Sequence, residues 1–225
     1  CLLIGLLLPL AGKAQMGKLY TADNQLSNSF VSQVFQDHDG FMWVATRNGL
    51  DRYDGYRFKI YKREDGKSGL TSNFINCLFE DKAHTLYIGT NLTVQKYNGE
   101  SFDTLRLIGP TGQPVHSYIN DIQQCRNGDL LIGTSGSGLM RVEGECTAHT
   151  IAGLPSALLH IKRILEDKQG RLWVITAFHG LYCLKGKKVV GHYFYNKQMS
   201  NALRDISIDR SEEHTSELQS PLIIS

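Results

Sequence analysis

One stretch, VFQDHDGFMWVATRNGLDRYDG from Val34 to Gly55, recurs along the chain and constrains its fold more than any other feature. Its marker Thr46 returns as Thr90, Thr134 and Thr176, at steps of 44, 44 and 42 residues. Repeats of that length are typical of propeller blades. Three places before each Thr stands a large apolar or aromatic residue, Trp43, Tyr87, Leu131 or Trp173. Six places before that comes an acidic position, read as Asp37, Asp81, Cys125 and Asp167, and the turn glycine reads as Gly40, Ala83, Gly128 and Gly170. Four copies in register over most of the chain define a repeat architecture.

Within one unit, Val31, Ile75, Ile119 and Ile161 align, as do Val34, Leu78, Ile122 and Ile164. A spacing of three fits neither face of a regular strand. The run between the polar cluster Leu26–Ser29 and the turn at Asp37–Gly40 is too short for a typical helix, so the spacing predicts a strand with a bulge. Asp, Asn and Gly in the turns supply left-handed geometry for hairpins. The next strand, Phe41 to Thr46, carries Met42 and Val44 on one face and Trp43 and Ala45 on the other. Apolar residues on both faces predict a sheet sandwiched between neighbouring layers. The small residues Ala45, Gly89 and Gly133 predict close backbone approach there, a rule that Ile175 breaks. A third strand and an outer, more polar fourth strand complete a unit that cannot bury its faces alone. The fold class is therefore all-β: an incomplete β-propeller of four four-stranded antiparallel blades, at about 26–69, 70–114, 115–154 and 155–199, plus the start of a fifth at 200–209.

Cys1 to Leu10 is almost wholly apolar and is followed by Ala11, Gly12, Lys13 and Ala14. That is the pattern of a secretory signal peptide at 1–14, truncated at its start and cleaved after Ala14. The run is far shorter than the roughly 20 residues that span a bilayer. Residues 15–25 read as a lead-in strand or linker, with Leu19 and Tyr20 as candidates for a strand that completes the last blade. Gly109 to Ser117, with two prolines and His116, reads as a long polar connection. The fifth repeat places Leu203, Ile206 and Asp209 in register but then lacks the expected Gly, aromatic and Thr, having Glu212, Thr215 and Leu218 instead. Residues 210–225 are accordingly read as a translated sequencing adapter. Four repeats and a stub do not close a ring, so unpaired strand edges and aggregation are expected.

With 24 basic and 22 acidic residues the chain has no general field for nucleic acid, and no direct nucleic-acid binding is expected. Cys77, Cys125, Cys146 and Cys183 show no metal or redox spacing and are expected as buried free thiols. The eight histidines are scattered, so no metal site is read, and no cofactor. No Ser-His-Asp order and no phosphate loop is present, so no catalytic residue is assigned. Trp43, Tyr87 and Trp173 suit sugar stacking, but their place in a doubly apolar strand makes them core, and His179 reads as an exposed turn residue. Asp37, Gly40, Trp43, Thr46, Asp81, Tyr87, Thr90, Gly128, Thr134, Asp167, Gly170, Trp173 and Thr176 are thus read as structural markers, with the ligand-binding residues unknown.

The pattern of Asp37, Gly40, Trp43, Val44, Thr46, Gly49, Leu50 and Tyr53, and again of Asp167, Gly170, Trp173, Val174, Thr176, Gly180 and Leu181, resembles the two-component-regulator propeller repeat. The second repeat departs at Ala83 and Thr93, the third at Cys125 and Leu131. The resemblance implies a periplasmic sensor region of a hybrid two-component protein, exported to the periplasmic face of the inner membrane. It further implies an oligosaccharide ligand, a homodimeric parent, and an immunoglobulin-like domain, a membrane span and a histidine kinase downstream. The fragment itself is then not an enzyme. The competing expectation is a secreted propeller lyase or glycosidase acting on polysaccharide.

Overall fold

A computed structural model of the chain describes residues 19–63 and 69–193 together with the backbone of the strands at 206–208 and 222–224, and in it each repeat forms one sheet. The first comprises β1 (Val31–Gln36), β2 (Met42–Thr46), β3 (Gly49–Tyr53) and β4 (Phe58–Tyr61). The second comprises β5 (Ile75–Glu80), β6 (Leu86–Thr90), β7 (Val94–Tyr97) and β8 (Phe102–Thr104). Two short strands follow, β9 (Arg106–Ile108) and β10 (Pro114–Val115). The third blade holds β11 (Tyr118–Gln124), β12 (Leu130–Ser135), β13 (Leu139–Glu143) and β14 (Thr147–Thr150). The fourth holds β15 (Ile161–Glu166), β16 (Leu172–Thr176), β17 (Leu181–Lys185) and β18 (Lys188–Tyr193). Beyond them β19 (Ile206–Ile208) pairs antiparallel with β20 (Leu222–Ile224). The signal-peptide reading, and most of the adapter reading, fall on residues outside those described. Among the described residues no helix is long and apolar enough to cross a membrane.

In every blade the first strand slips register against the second at the same place, between Val31 and Gln33, Ile75 and Cys77, Ile119 and Asp121, and Ile161 and Arg163. This bulge is why apolar residues three apart share a face. Ile75 and Leu78, Ile119 and Ile122, and Ile161 and Ile164 are all buried. Consecutive first strands pack on one another, β1 on β5, β5 on β11 and β11 on β15, which makes them the inner strands of the array. The cores lie between blades: one joins Trp43, Ala45 and Leu50 to Ile75, Leu78 and Ile88, and the next joins Cys77 and Tyr87 to Ile119 and Ile132.

The small residues of the second strand belong to that packing. A Cβ at Gly89 would stand 2.8 Å from Ile119 Cγ2, and one at Gly133 would stand 2.8 Å from Ile161 Cγ2. At Gly89 the Cys77 Sγ of the same blade stands closer still, so the close approach expected of the backbone is made by side chains, from the next blade at Gly133 and from both blades at Gly89.

Each marker closes a turn. Thr46 Oγ1 donates to the Gly49 carbonyl at 2.8 Å, and the bond recurs from Thr90 to Thr93 (2.8 Å), Thr134 to Gly138 (2.8 Å) and Thr176 to Gly180 (2.9 Å). All four threonines are buried. At the opposite end Asp37 accepts the Phe41 N–H at 2.8 Å and the Trp43 indole N–H at 2.6 Å. Asp81 likewise holds the Thr85 N–H and the Tyr87 hydroxyl, and Asp167 the Arg171 N–H and the Trp173 indole. The third blade keeps the backbone turn, with the Gly128 N–H on the Cys125 carbonyl at 3.0 Å, and replaces both members of the side-chain pair, by Cys125 and Leu131.

The turn glycine needs one correction. The residue equivalent to Gly40, Gly128 and Gly170 is His84, not Ala83. His84 has φ 64°, and its N–H bonds the Asp81 carbonyl at 2.9 Å as Gly40 bonds Asp37 at 3.0 Å. The connection after the second blade is also more ordered than a polar loop. Leu107 and Ile108 are buried, β9 runs parallel to β14, and β10 folds back on β9, widening the third blade to six strands. Leu19 and Tyr20 form no strand; the Tyr20 ring meets Tyr53 at a tilt and Phe58 edge to face, both in the first blade.

Asp51 Oδ2 accepts the Ser27 N–H at 2.8 Å and pins the lead-in segment to the first blade, as Gln95 pins Thr71 one repeat later. Asp51 is wholly buried and its Oδ1 has no partner, so desolvation raises its pKa against the opposing Ser27 bonds.

Gly133→Ala is expected to cost about 1–3 kcal/mol by forcing Ile161 away, measured by urea unfolding. Because the Asp51 pKa is raised, the stability it confers is present below the ordinary carboxylate range and is lost as pH rises through the folded value. Asp51→Asn keeps the Ser27 acceptor, so its melting temperature relative to the parent is expected to improve from about pH 4 to about pH 7.

Candidate ligand-binding face

The two ends of each blade differ in chemistry. Asp37, Asp81 and Asp167 each turn inward on their own blade and do not converge on one pocket. Trp43, Tyr87 and Trp173 are buried at 1%, 6% and 7% exposure, which removes them as stacking platforms. His179 and His116 are exposed. Of the four described cysteines Cys77, Cys125 and Cys183 are buried and Cys146 is exposed, all free. Burial pushes the Cys125 thiol up to about 11.

At the Thr end the structure brings together a second aromatic set. Phe30, Phe74, Tyr118 and His160 stand at or just before the start of the four inner strands, at the same 44, 44 and 42 steps as the threonines. Each is held to the residue after its blade's Thr. The Arg47, Asn91 and Ala177 N–H groups donate to the Phe30, Phe74 and His160 carbonyls, and Tyr118 pairs with Ser135. Because the inner strands pack side by side, Phe30, Phe74 and Tyr118 form one row, and His160 stands at the equivalent place of the fourth blade. Phe74 meets Tyr118 edge to face at 5.8 Å, and His160 meets Phe178 in the same way at 5.4 Å. The Arg47 guanidinium lies 3.5 Å above the Phe30 ring centre and 5.3 Å from that of Phe74. Phe30, Tyr118 and Phe178 remain 52%, 37% and 55% exposed. Partial burial raises the Tyr118 pKa while the Arg47 charge opposes it, so the phenol stays a neutral donor. Solvated aromatic planes, a cation and a phenol along one row can stack on apolar faces and hydrogen-bond to hydroxyls.

Sequence reasoning passed over this set because it looked for aromatics at the strongest markers. The signal that finds it is the same period, read sixteen residues before each Thr, where polar turn residues begin each unit.

At the Asp end a cavity of about 430 Å³ opens between the first two blades, lined by Asp37, His38, Arg52, Glu80, His84 and Lys96 among others. The residue closing each inner strand there grips the preceding blade: Glu80 accepts the His38 N–H at 3.0 Å, Gln124 the Lys82 N–H at 2.9 Å and Glu166 the Arg126 N–H at 2.7 Å. The first of these junctions also carries imidazoles. His38 Nδ1 lies 2.5 Å from Glu80 Oε1, a bond that raises the His38 pKa, and the His84 ring stacks on His38 at 3.9 Å.

The family model for the Two component regulator propeller matches residues 25–48 and 69–92, which run from the lead-in to the Thr turn in the first two repeats. Over 53 residues, 23% of its length, the chain is 45% identical to Histidine kinase P4 of Formosa agariphila and covers 4% of that protein. Among solved structures, an extracellular domain assigned to the hybrid two component system BT3049 of B. thetaiotaomicron superposes with a TM-score of 0.73 at 25% identity, over 86% of this chain and 28% of that one. A second such domain, BT4673 of the same organism, gives 0.71 at 20% identity over 87% and 28%. Virginiamycin B lyase of Staphylococcus aureus gives 0.57 at 13% identity over 79% and 59%, a likeness of fold alone. The chain therefore spans under a third of those extracellular domains. The first two repeats thus match the Two component regulator propeller model, and the blades of this chain are folded like those of the extracellular domain assigned to BT3049.

Proposed function

We propose that this chain is part of the ligand-sensing propeller of a two-component sensor, on the periplasmic face of the inner membrane, and that it recognises a glycan fragment on the aromatic row at the Thr end. The carrying observation is the match across most of the chain to an extracellular domain of a hybrid two-component system. The row supports the glycan reading because it repeats once per blade, spans blade junctions and stays open to solvent. A ligand that touches two blades favours the arrangement in which both are correctly spaced, and that differential affinity is what biases a downstream kinase between two states. The kinase, the membrane span, the immunoglobulin-like domain and the homodimer belong to the proposed parent protein.

Calorimetry of the chain against a panel of oligosaccharides tests the proposal, with the same mixtures assayed for cleaved product. One glycan class is expected to bind without turnover. Phe30→Ala or Phe74→Ala is expected to weaken it about 5- to 100-fold, the worth of one stacked ring. Binding by no member of the panel, or affinity indifferent to both substitutions, would remove the row as the glycan site. Product formation would instead favour a polysaccharide lyase or glycosidase.

A further inference from the structure

We propose that His38, Glu80 and His84 bind a divalent transition-metal ion of the zinc class across the junction of the first and second blades. The inference is independent of the glycan reading and concerns the opposite end of the blades.

Three donors from two repeats converge there: His38 Nδ1 lies 2.5 Å and His84 Nδ1 4.0 Å from Glu80 Oε1, and the three ligand atoms all fall within 4.8 Å of one another. A tetrahedral ion with bonds of about 2.0–2.2 Å needs donors about 3.3–3.6 Å apart; one pair is closer than that, another is farther and none exceeds 4.8 Å, so shifts of about 1 Å bring the three into range. The far nitrogen of His38, Nε2, lies 3.2 Å from Asp39 Oδ1. A carboxylate behind a ligating imidazole is the arrangement that fixes ring orientation and strengthens the ligand. His38 and His84 are exposed, which leaves water to complete the coordination. Two imidazoles and one carboxylate favour zinc or a neighbouring late divalent ion over calcium or magnesium, which prefer oxygen.

The repeat supplies an internal control. At the next two junctions the clasp residues are Gln124 and Glu166, the residue they hold is Lys82 or Arg126, and the turn position is Gly128 or Gly170. Folding therefore requires neither imidazole at this station. His84 also occupies a left-handed backbone position, φ 64°, that the other three repeats give to glycine, although a side chain there is disfavoured. At the first junction both departures from the repeat place a nitrogen donor beside Glu80. The two rings then stack at 3.9 Å with their Nδ1 atoms toward the same carboxylate.

The test is zinc titration of the full chain against a competing chromophoric chelator, with melting temperature as a second readout. Saturable binding of one ion is expected, with a rise in melting temperature that calcium and magnesium do not reproduce. His84→Gly and His38→Lys, which restore residues used at the same station in other repeats, are expected to fold and to lose at least about tenfold in zinc affinity. Cys146→Ser is expected to leave binding unchanged. No saturable uptake by the parent chain would overturn the proposal. So would equal affinity in the parent and His84→Gly, or binding abolished by Cys146→Ser, which would put the ion elsewhere.

Discussion

A four-stranded sheet with apolar side chains on both faces is stable only when another sheet covers each face, and this molecule meets that condition by fitting a large side chain of one blade into a small place in the previous one. Ile119 rests on Gly89 and Ile161 on Gly133, each isoleucine fully buried. Burying such a side chain contributes about 1.5–3 kcal/mol, and it does so only when the neighbouring blade is in place. Polar side chains of the inner strands then set the register. Gln33 brackets the backbone of Leu78, Asp121 accepts the Ile164 N–H at 2.7 Å, and Asn76 and Asn120 donate to the Ile119 and Ile161 carbonyls. Apolar fit supplies most of the adhesion, and these bonds supply its direction.

The variation among the repeats reads as physics once the contacts are known. Asp and its aromatic donor act as one unit: a carboxylate inside a turn is tolerated because it accepts a backbone N–H and an indole or phenol, bonds to a charged group contributing about 1.5–3 kcal/mol each. Where the acceptor is lost at Cys125, the donor is lost too, at Leu131, and neither is left unpaired. The Thr turn has no such exchange available, because its hydroxyl serves backbone groups that every repeat possesses, and Thr46, Thr90, Thr134 and Thr176 stand unchanged. Variation is thus permitted where two side chains can change together and refused where one side chain serves the main chain.

This division leaves the two ends of each blade free for different work. The Thr end pairs a rigid turn with an adjacent solvated aromatic, so rings are presented on a fixed frame. The Asp end joins blades through a carboxylate or amide that reaches one blade back. At the first junction alone among those described, that reach gathers two histidines.

The sequence by itself determined the blade. The period, the bulged inner strand, the doubly buried second strand and the turns are all local, set by spacings within about forty residues, and each could be read from residue type because backbone geometry and burial act residue by residue. Tertiary structure decided what meets across blades. The place of His84 at the glycine position is not among these, because the 44-residue step from Gly40 already lands on it and its φ of 64° agrees. That Leu107 and Ile108 add strands to the third blade depends on the parallel partner that β14 offers, forty residues along the chain. His38 and Glu80 lie 42 residues apart, and Phe74 and Tyr118 44, so neither pairing leaves any short spacing in the chain. Both become contacts only because packing returns each repeat to the same height beside its neighbour, which is a property of the stacked sheets and not of any one segment.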